Sequence, residues 1–259
     1  MTAGVGLMDI VIITALGVGG ATIFGAVIGL ICKRTKKKYN DAVMAVAAGI
    51  MLAASFLGLV VPSLEAGGSL GVFTTAFGIF IGALCVNFFD YLLKFYMAPL
   101  ARALDRGESS GGDRMRAAIT FASAIAIHNL PEGVAAGVGF GTGDISDGIF
   151  IATAIALQNI PEGMAVFVAL LSVGISAGRT FFLAAMTGVV EIVGTLIGYF
   201  AVSLCAPLLP FILAVAAGSM LYIICDEMIP SVRADDGSHR STYLFLLGFV
   251  LMLILDLFI

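Results

Sequence analysis

Ala124-Ile-Ala-Ile-His-Asn-Leu-Pro-Glu-Gly133 and, thirty residues further on, Ala154-Ile-Ala-Leu-Gln-Asn-Ile-Pro-Glu-Gly163 are near-copies of one another. Each sets a polar pair, a proline and a glutamate inside an otherwise apolar run, and close packing of small residues does not account for that choice. Apolar residues make up 60% of the 259-residue chain and charged ones 12%, and the mean hydropathy is +1.11. A water-soluble globule of that composition would have no charged coat, so the apolar runs read as membrane crossings of roughly 20 residues each. Consecutive crossings run in opposite directions. The two copies are therefore an inverted pair, related by an axis lying in the membrane plane.

Outward from this pair, eight apolar spans cover residues 8–32, 41–64, 70–97, 117–140, 147–171, 179–204, 208–231 and 241–259. The expected fold is an all-α polytopic membrane protein. It is a single transmembrane domain over 1–259, with eight helices in a 3+2+3 arrangement and inverted pseudo-symmetry. A second echo joins Ala45-Val-Ala-Ala-Gly49, with Met51 and Pro62 after it, to Ala214-Val-Ala-Ala-Gly218, with Met220 and Pro230. No basic residue precedes the first span and its apolar run is too long for a cleaved signal, so it is expected to stay in the mature chain.

Charge sets the orientation. All 13 Lys and Arg residues fall on one side of this topology: Lys33 to Lys38, Lys94 to Arg116, Arg179, Arg233 and Arg240. The basic side is expected to be cytoplasmic, which places both termini outside the inner (cytoplasmic) membrane of a cell. The outer connections carry Glu65, Asp144 and Asp147, a mildly negative mouth for a cation or, residue by residue, ordinary helix-capping acids. The connection from about 98 to 116, with the run Gly107 to Gly112, reads as a flexible cytoplasmic loop. Cys32, Cys85, Cys205 and Cys225 form no CxxC pair and are expected to pack as small apolar residues.

His128, Gln158, Asn159 and Glu191 lie near the centres of their spans, where an ionisable group is costly unless a wet cavity or a bound cation partners it. His128 and Glu132 are spaced i and i+4, Asn129 and Glu132 i and i+3, and the same offsets relate Gln158 and Asn159 to Glu162. Pro131 and Pro161 release the carbonyls of Ile127 and Leu157 from their helical bonds. One imidazole, three carboxylates and amide oxygens suit borderline divalent ions such as zinc, cadmium, cobalt, iron or manganese. Glu132 and Glu162 correspond across the inverted pair, which makes a carboxylate-bridged pair of ions chemically reasonable. The competing account is a buried polar network that merely holds three helices together.

His-Asn-Leu-Pro-Glu-Gly at 128–133 and Gln-Asn-Ile-Pro-Glu-Gly at 158–163 resemble the paired fourth- and fifth-helix signatures of the ZIP family of zinc- and iron-regulated metal transporters, in its prokaryotic, GufA-like branch. The resemblance covers nearly the whole chain. It implies metal ligands at His128, Asn129 and Glu132, at Gln158, Asn159 and Glu162, and at Glu191, which would complete a two-metal centre. Asp226 and Glu227 match a polar pair at the cytoplasmic exit, joined by Asp90; Met51 would line the pathway and Asp144 the outer entrance. Many family members have His where Gln158 stands and a histidine-rich third cytoplasmic loop, whereas 98–116 contains no histidine. The implied mechanism is uptake by an elevator-like slide of spans 1, 4, 5 and 6 against spans 2, 3, 7 and 8, in a homodimer.

The expected activity is thus transmembrane transport of Zn2+ or another divalent transition metal, with Cd2+, Fe2+, Mn2+ and Co2+ as alternatives. The partners are metal ions and the lipid bilayer; no organic cofactor, nucleic acid or enzymatic reaction is expected. A divalent-cation channel using the same ligands is the main rival and would show non-saturating flux. A membrane metalloenzyme is disfavoured by the lack of an HExxH motif.

Overall fold

The computed structural model describes residues 6–31, 37–104, 129–142, 144–172, 174–232 and 239–258. His128, residues 105–116 of the expected loop and residues 117–128 of the expected fourth span lie outside them. The long helices are α1 (Leu7–Ile31), α2 (Lys37–Ala54), α4 (Gly71–Leu104), α6 (Ile145–Ser172), α7 (Ala177–Leu204), α8 (Leu209–Ile223) and α10 (Arg240–Asp256), with short α3 (Val61–Ala66) and α9 (Ile229–Val232). Residues 129–138 are helical and form α5. Six stretches are long and apolar enough to cross a membrane: Leu7–Ile31, Asp41–Ala66, Gly68–Leu92, Ile145–Val168, Ala177–Leu204 and Ala206–Met228. The protein is a multi-pass membrane protein. Of the other two expected spans, the fourth lies half outside the described residues. The last forms α10, whose 17 residues fall a little short of a full crossing.

Two features differ from the sequence expectation. Helix α4 continues through residues 98–104, since the apolar Leu100, Ala101, Ala103 and Leu104 extend its helix-forming pattern beyond the bilayer length. The cysteines are also not uniformly packed inside: Cys85 and Cys225 are exposed and Cys205 is half-buried. In a bilayer an exposed apolar side chain meets lipid rather than water, and so it costs little. The same reasoning covers Phe73, Phe77, Phe80 and Leu84, which recur at helical spacing along one exposed face of α4.

Without a hydrophobic drive between helices, close packing decides which ones pair. A Cβ on Gly49 would land on the Phe245 carbonyl, and one on Gly248 would land on that of Val46, locking α2 to α10. A Cβ on Gly218 would strike Ile79 and one on Gly82 would strike Val215, locking α8 to α4 in the same way. Residues 46 and 49 correspond to 215 and 218, and residues 79 and 82 to 245 and 248. One glycine contact is thus made twice by corresponding residues.

The second echo repeats in the backbone as well. A π-helical turn at Ser55–Val60 follows α2, and another at Ile224–Met228 follows α8. Pro62 and Pro230 lie just beyond, and neither can donate to the carbonyl four residues earlier, so a wider turn ahead of each proline absorbs the mismatch. Ser55 Oγ donates to the Met51 carbonyl at 2.7 Å inside the first of these turns. Helix α6 runs on through Pro161. It ends at Ser172, and Gly174 just beyond, with a φ of 88°, allows Ile175 N to reach back to the Leu170 carbonyl at 3.4 Å.

Candidate metal site

Glycines also set the centre. The glycine of each Pro-Glu-Gly signature abuts a neighbouring backbone: Gly133 faces the Glu191 carbonyl of α7, and Gly163 faces the Thr22 carbonyl of α1. Gly194 and Gly25 return the contact, against the carbonyls of Leu130 and Ile160. With the backbones this close, the residues flanking each glycine are forced into the space between four helices. Asn129, Gln158, Asn159, Glu191 and Thr22 are fully buried, Glu132 is 1% exposed, and Glu162 is half-buried.

These side chains form one connected network. Glu191 accepts from Thr22 Oγ1 at 2.7 Å on Oε1 and 2.9 Å on Oε2. Asn129 Nδ2 donates to Oε1 of the same carboxylate, and Asn159 Nδ2 donates to Oε2 at 2.6 Å. Asn159 Nδ2 also approaches the Val18 carbonyl at 3.4 Å. Gln158 Nε2 donates to Asn159 Oδ1 at 2.8 Å, and the Gln158 side chain lies within electrostatic reach of Glu132. Glu162 lies within electrostatic reach of both Glu132 and Glu191.

Among the described residues, three oxygens of this network have no hydrogen-bond partner: Asn129 Oδ1, Glu132 Oε2 and Gln158 Oε1. Leaving a buried acceptor unsatisfied costs about 1–3 kcal/mol, and here three such acceptors share one site. A bound cation fits such a place, because it supplies positive charge to lone pairs that no N–H reaches. Among the described residues no three His, Cys, Asp or Glu side chains gather into a cage on their own. The amides stand between the acids, so the oxygen donors are of mixed kind.

The remaining sequence candidates take no part in the hydrogen bonds just described. Met51 is fully buried in the apolar core with Met220, Leu59 and Ile224. Asp144 is exposed and caps α6: its Oδ1 accepts from Ser146 N at 2.9 Å and from Ser146 Oγ. Those bonds hold its pKa below the ordinary aspartate value. Asp90 on α4 and Asp226 in the second π turn each lie one helical turn beyond a bond between Asn87 Nδ2 and Tyr222 OH, 2.9 Å long. Asp226 is exposed, while Asp90 and Glu227 are half-buried.

Thr22 is the member of the centre that the sequence reading missed, although a signal exists. Gly19-Gly-Ala-Thr-Ile-Phe-Gly-Ala-Val-Ile-Gly29 aligns with Gly188-Val-Val-Glu-Ile-Val-Gly-Thr-Leu-Ile-Gly198. The three glycines and two isoleucines match, and Thr22 falls opposite Glu191.

Comparison with known proteins gives the chain a family. Residues 100–256 match the Zip family profile, described as ZIP Zinc transporter. The chain is 36% identical to the zinc transporter GufA of Myxococcus xanthus, over 95% of this chain and 97% of the relative. It is 34% identical to the zinc transporter ZIPB of Bordetella bronchiseptica, over 91% and 77%. Against the human zinc transporter ZIP11 the identity is 30%, over 92% and 93%.

Proposed function

This chain belongs to the ZIP family, in its GufA-like branch, and from that premise we propose that it carries zinc or another divalent transition-metal cation through the membrane. The cation is held by His128, Asn129, Glu132, Gln158, Asn159, Glu162 and Glu191. The observation that carries this reading is the trio of unpartnered buried oxygens on Asn129, Glu132 and Gln158. Glu132 and Glu162, on corresponding positions of two helices, leave room in the reading for a second ion bridged by carboxylate. Asp90, Asp226 and Glu227 serve the cytoplasmic exit, while Asp144, at the outer mouth, acts as the cap of α6.

An elevator-like motion in a homodimer completes the reading, with both termini outside an inner membrane. Among the described residues, every glycine that abuts the backbone of another long helix does so within one of two groups. Gly19, Gly25, Gly133 and Gly163 tie together α1, α5, α6 and α7, while Gly49, Gly82, Gly218 and Gly248 tie together α2, α4, α8 and α10. Between the groups, Gly58 meets only the side chains of Phe150 and Ile151, and Gly141 reaches only Leu209 Cδ1 across the divide. Side-chain contacts slide at lower cost than interlocked backbones, which favours relative motion along this seam.

The test is zinc uptake into proteoliposomes. Glu132→Ala and Glu162→Ala are expected to abolish saturable uptake while the protein still elutes as a folded species. Wild-type uptake by Glu162→Ala would overturn the central-site assignment, and flux that never saturates would favour a channel. Binding requires deprotonated carboxylates and a neutral imidazole, so affinity is expected to fall between neutral pH and about 5. Equilibrium dialysis of zinc across that range checks the sign.

A further inference from the structure

We infer that Thr22 is a positioning residue of the metal site: its hydroxyl fixes the Glu191 carboxylate, and that carboxylate in turn aims the amide oxygens that face the cation. The inference rests on the metal-site reading above. It starts from the chemistry of donors and acceptors. An ionised carboxylate only accepts, so any amide bonded to it must present nitrogen and turn its oxygen away. Asn129 and Asn159 both present Nδ2 to Glu191.

The consequence propagates. Asn129 Oδ1 is turned away from Glu191 and is left unpartnered. Asn159 Oδ1 is turned towards Gln158, which must then offer Nε2 at 2.8 Å. That choice leaves Gln158 Oε1 as the second unpartnered amide oxygen. The direction of both free amide oxygens therefore traces to the placement of one carboxylate.

The terminal torsion of a glutamate is broad and does not hold itself. Among the described contacts of the Glu191 carboxylate, the only donor from outside the two signature helices is the Thr22 hydroxyl, which spans both oxygens at 2.7 and 2.9 Å. Thr22 is itself fixed, because it is fully buried and its carbonyl is pressed by Gly163. The internal repeat adds an independent reason: Thr22 occupies in α1 the place that Glu191 occupies in α7. Gly163 meets Thr22 and Gly133 meets Glu191 in matching fashion. One of two equivalent seats beside the site holds the acid, and the other holds the hydroxyl that orients it.

Thr22→Val keeps the shape and removes the hydroxyl, whereas Thr22→Ser keeps the hydroxyl and removes a methyl. In proteoliposomes Thr22→Val is expected to raise the KM for zinc about tenfold or more, as loss of an orienting partner commonly does. Its maximal rate should change far less, and Thr22→Ser should restore the wild-type KM. A packing role predicts the reverse order, with Val behaving as wild type and Ser impaired, and that result overturns the inference. If Thr22→Val fails to accumulate, Thr22→Ala replaces it, and equal KM values for Ala and Ser would count against the hydroxyl. Glu162→Ala run alongside separates the two readings. If it transports zinc normally, the metal site is wrong whatever Thr22 does; if it is dead while Thr22→Val matches wild type, only the role of Thr22 fails.

Discussion

At Gln158 the chain offers an amide oxygen where an imidazole would be a softer donor. Gln158 is fully buried and its Oε1 is unpartnered, so a substitution there changes the donor set without relieving any surface strain. Gln158→His is expected to shift competition towards zinc and cadmium over manganese, because imidazole suits the former and oxygen the latter. A competition series in proteoliposomes that left the order unchanged would reduce Gln158 to a spectator. Asp144 supports the opposite expectation. The bonds from Ser146 lower its pKa, so the charged cap is complete above the ordinary carboxylate range and is lost only as pH falls through the lowered value. Asn can accept the same bonds. Asp144→Asn should therefore leave zinc KM unchanged at neutral pH, and a marked rise would give this exposed acid a share in cation capture. Glu132, Gln158 and Asn159 were legible in the sequence because an acid or amide amid apolar residues stands out. Thr22 was not, because threonine is common in apolar helices and its counterpart in the repeat is a different residue.

At the scale of the helix, the Pro-Glu-Gly signatures do two jobs with adjacent residues. The glycine seats its helix against a neighbouring carbonyl, and the glutamate beside it is thereby delivered to the centre. Gly163→Val would push a branched side chain into the Thr22 carbonyl and is expected to cost about 1–3 kcal/mol or more, since backbone cannot step aside as a side chain can. Gly17→Val is the control, because a Cβ there meets nothing within 4 Å. A thermal-shift measurement in detergent should separate the two variants, and equal midpoints would mean the helices adjust more freely than their packing implies. Six membrane-crossing helices were legible from apolar length. The two π turns were not, because an i to i+5 turn leaves no hydrophobic period of its own, and only Pro62 and Pro230 marked the places where the regular pattern must yield.

Across the whole molecule, the seam between the two helix groups has a different texture from the interior of either group. Inside a group, glycine meets backbone, and displacement by a fraction of a helical turn would drive Cα into carbonyl. Along the seam, Gly58 rests on the Ile151 side chain, which can exchange one neighbour for another as helices pass. The inverted repeat read in the sequence anticipates two such groups without saying which surfaces slide, since side-chain and backbone contacts differ only once helices are placed in space. Joining the groups at this point should stop the motion. In a chain whose native cysteines are replaced, oxidation of a Gly58→Cys, Ile151→Cys pair is expected to arrest zinc uptake, and reduction should restore it. A Phe77→Cys, Phe211→Cys pair, at two rings whose centroids lie 6.0 Å apart, joins α4 to α8 inside one group and should transport equally well oxidised or reduced. Full uptake by the oxidised Gly58–Ile151 pair would show that the cation crosses without relative motion at this seam, as through a channel.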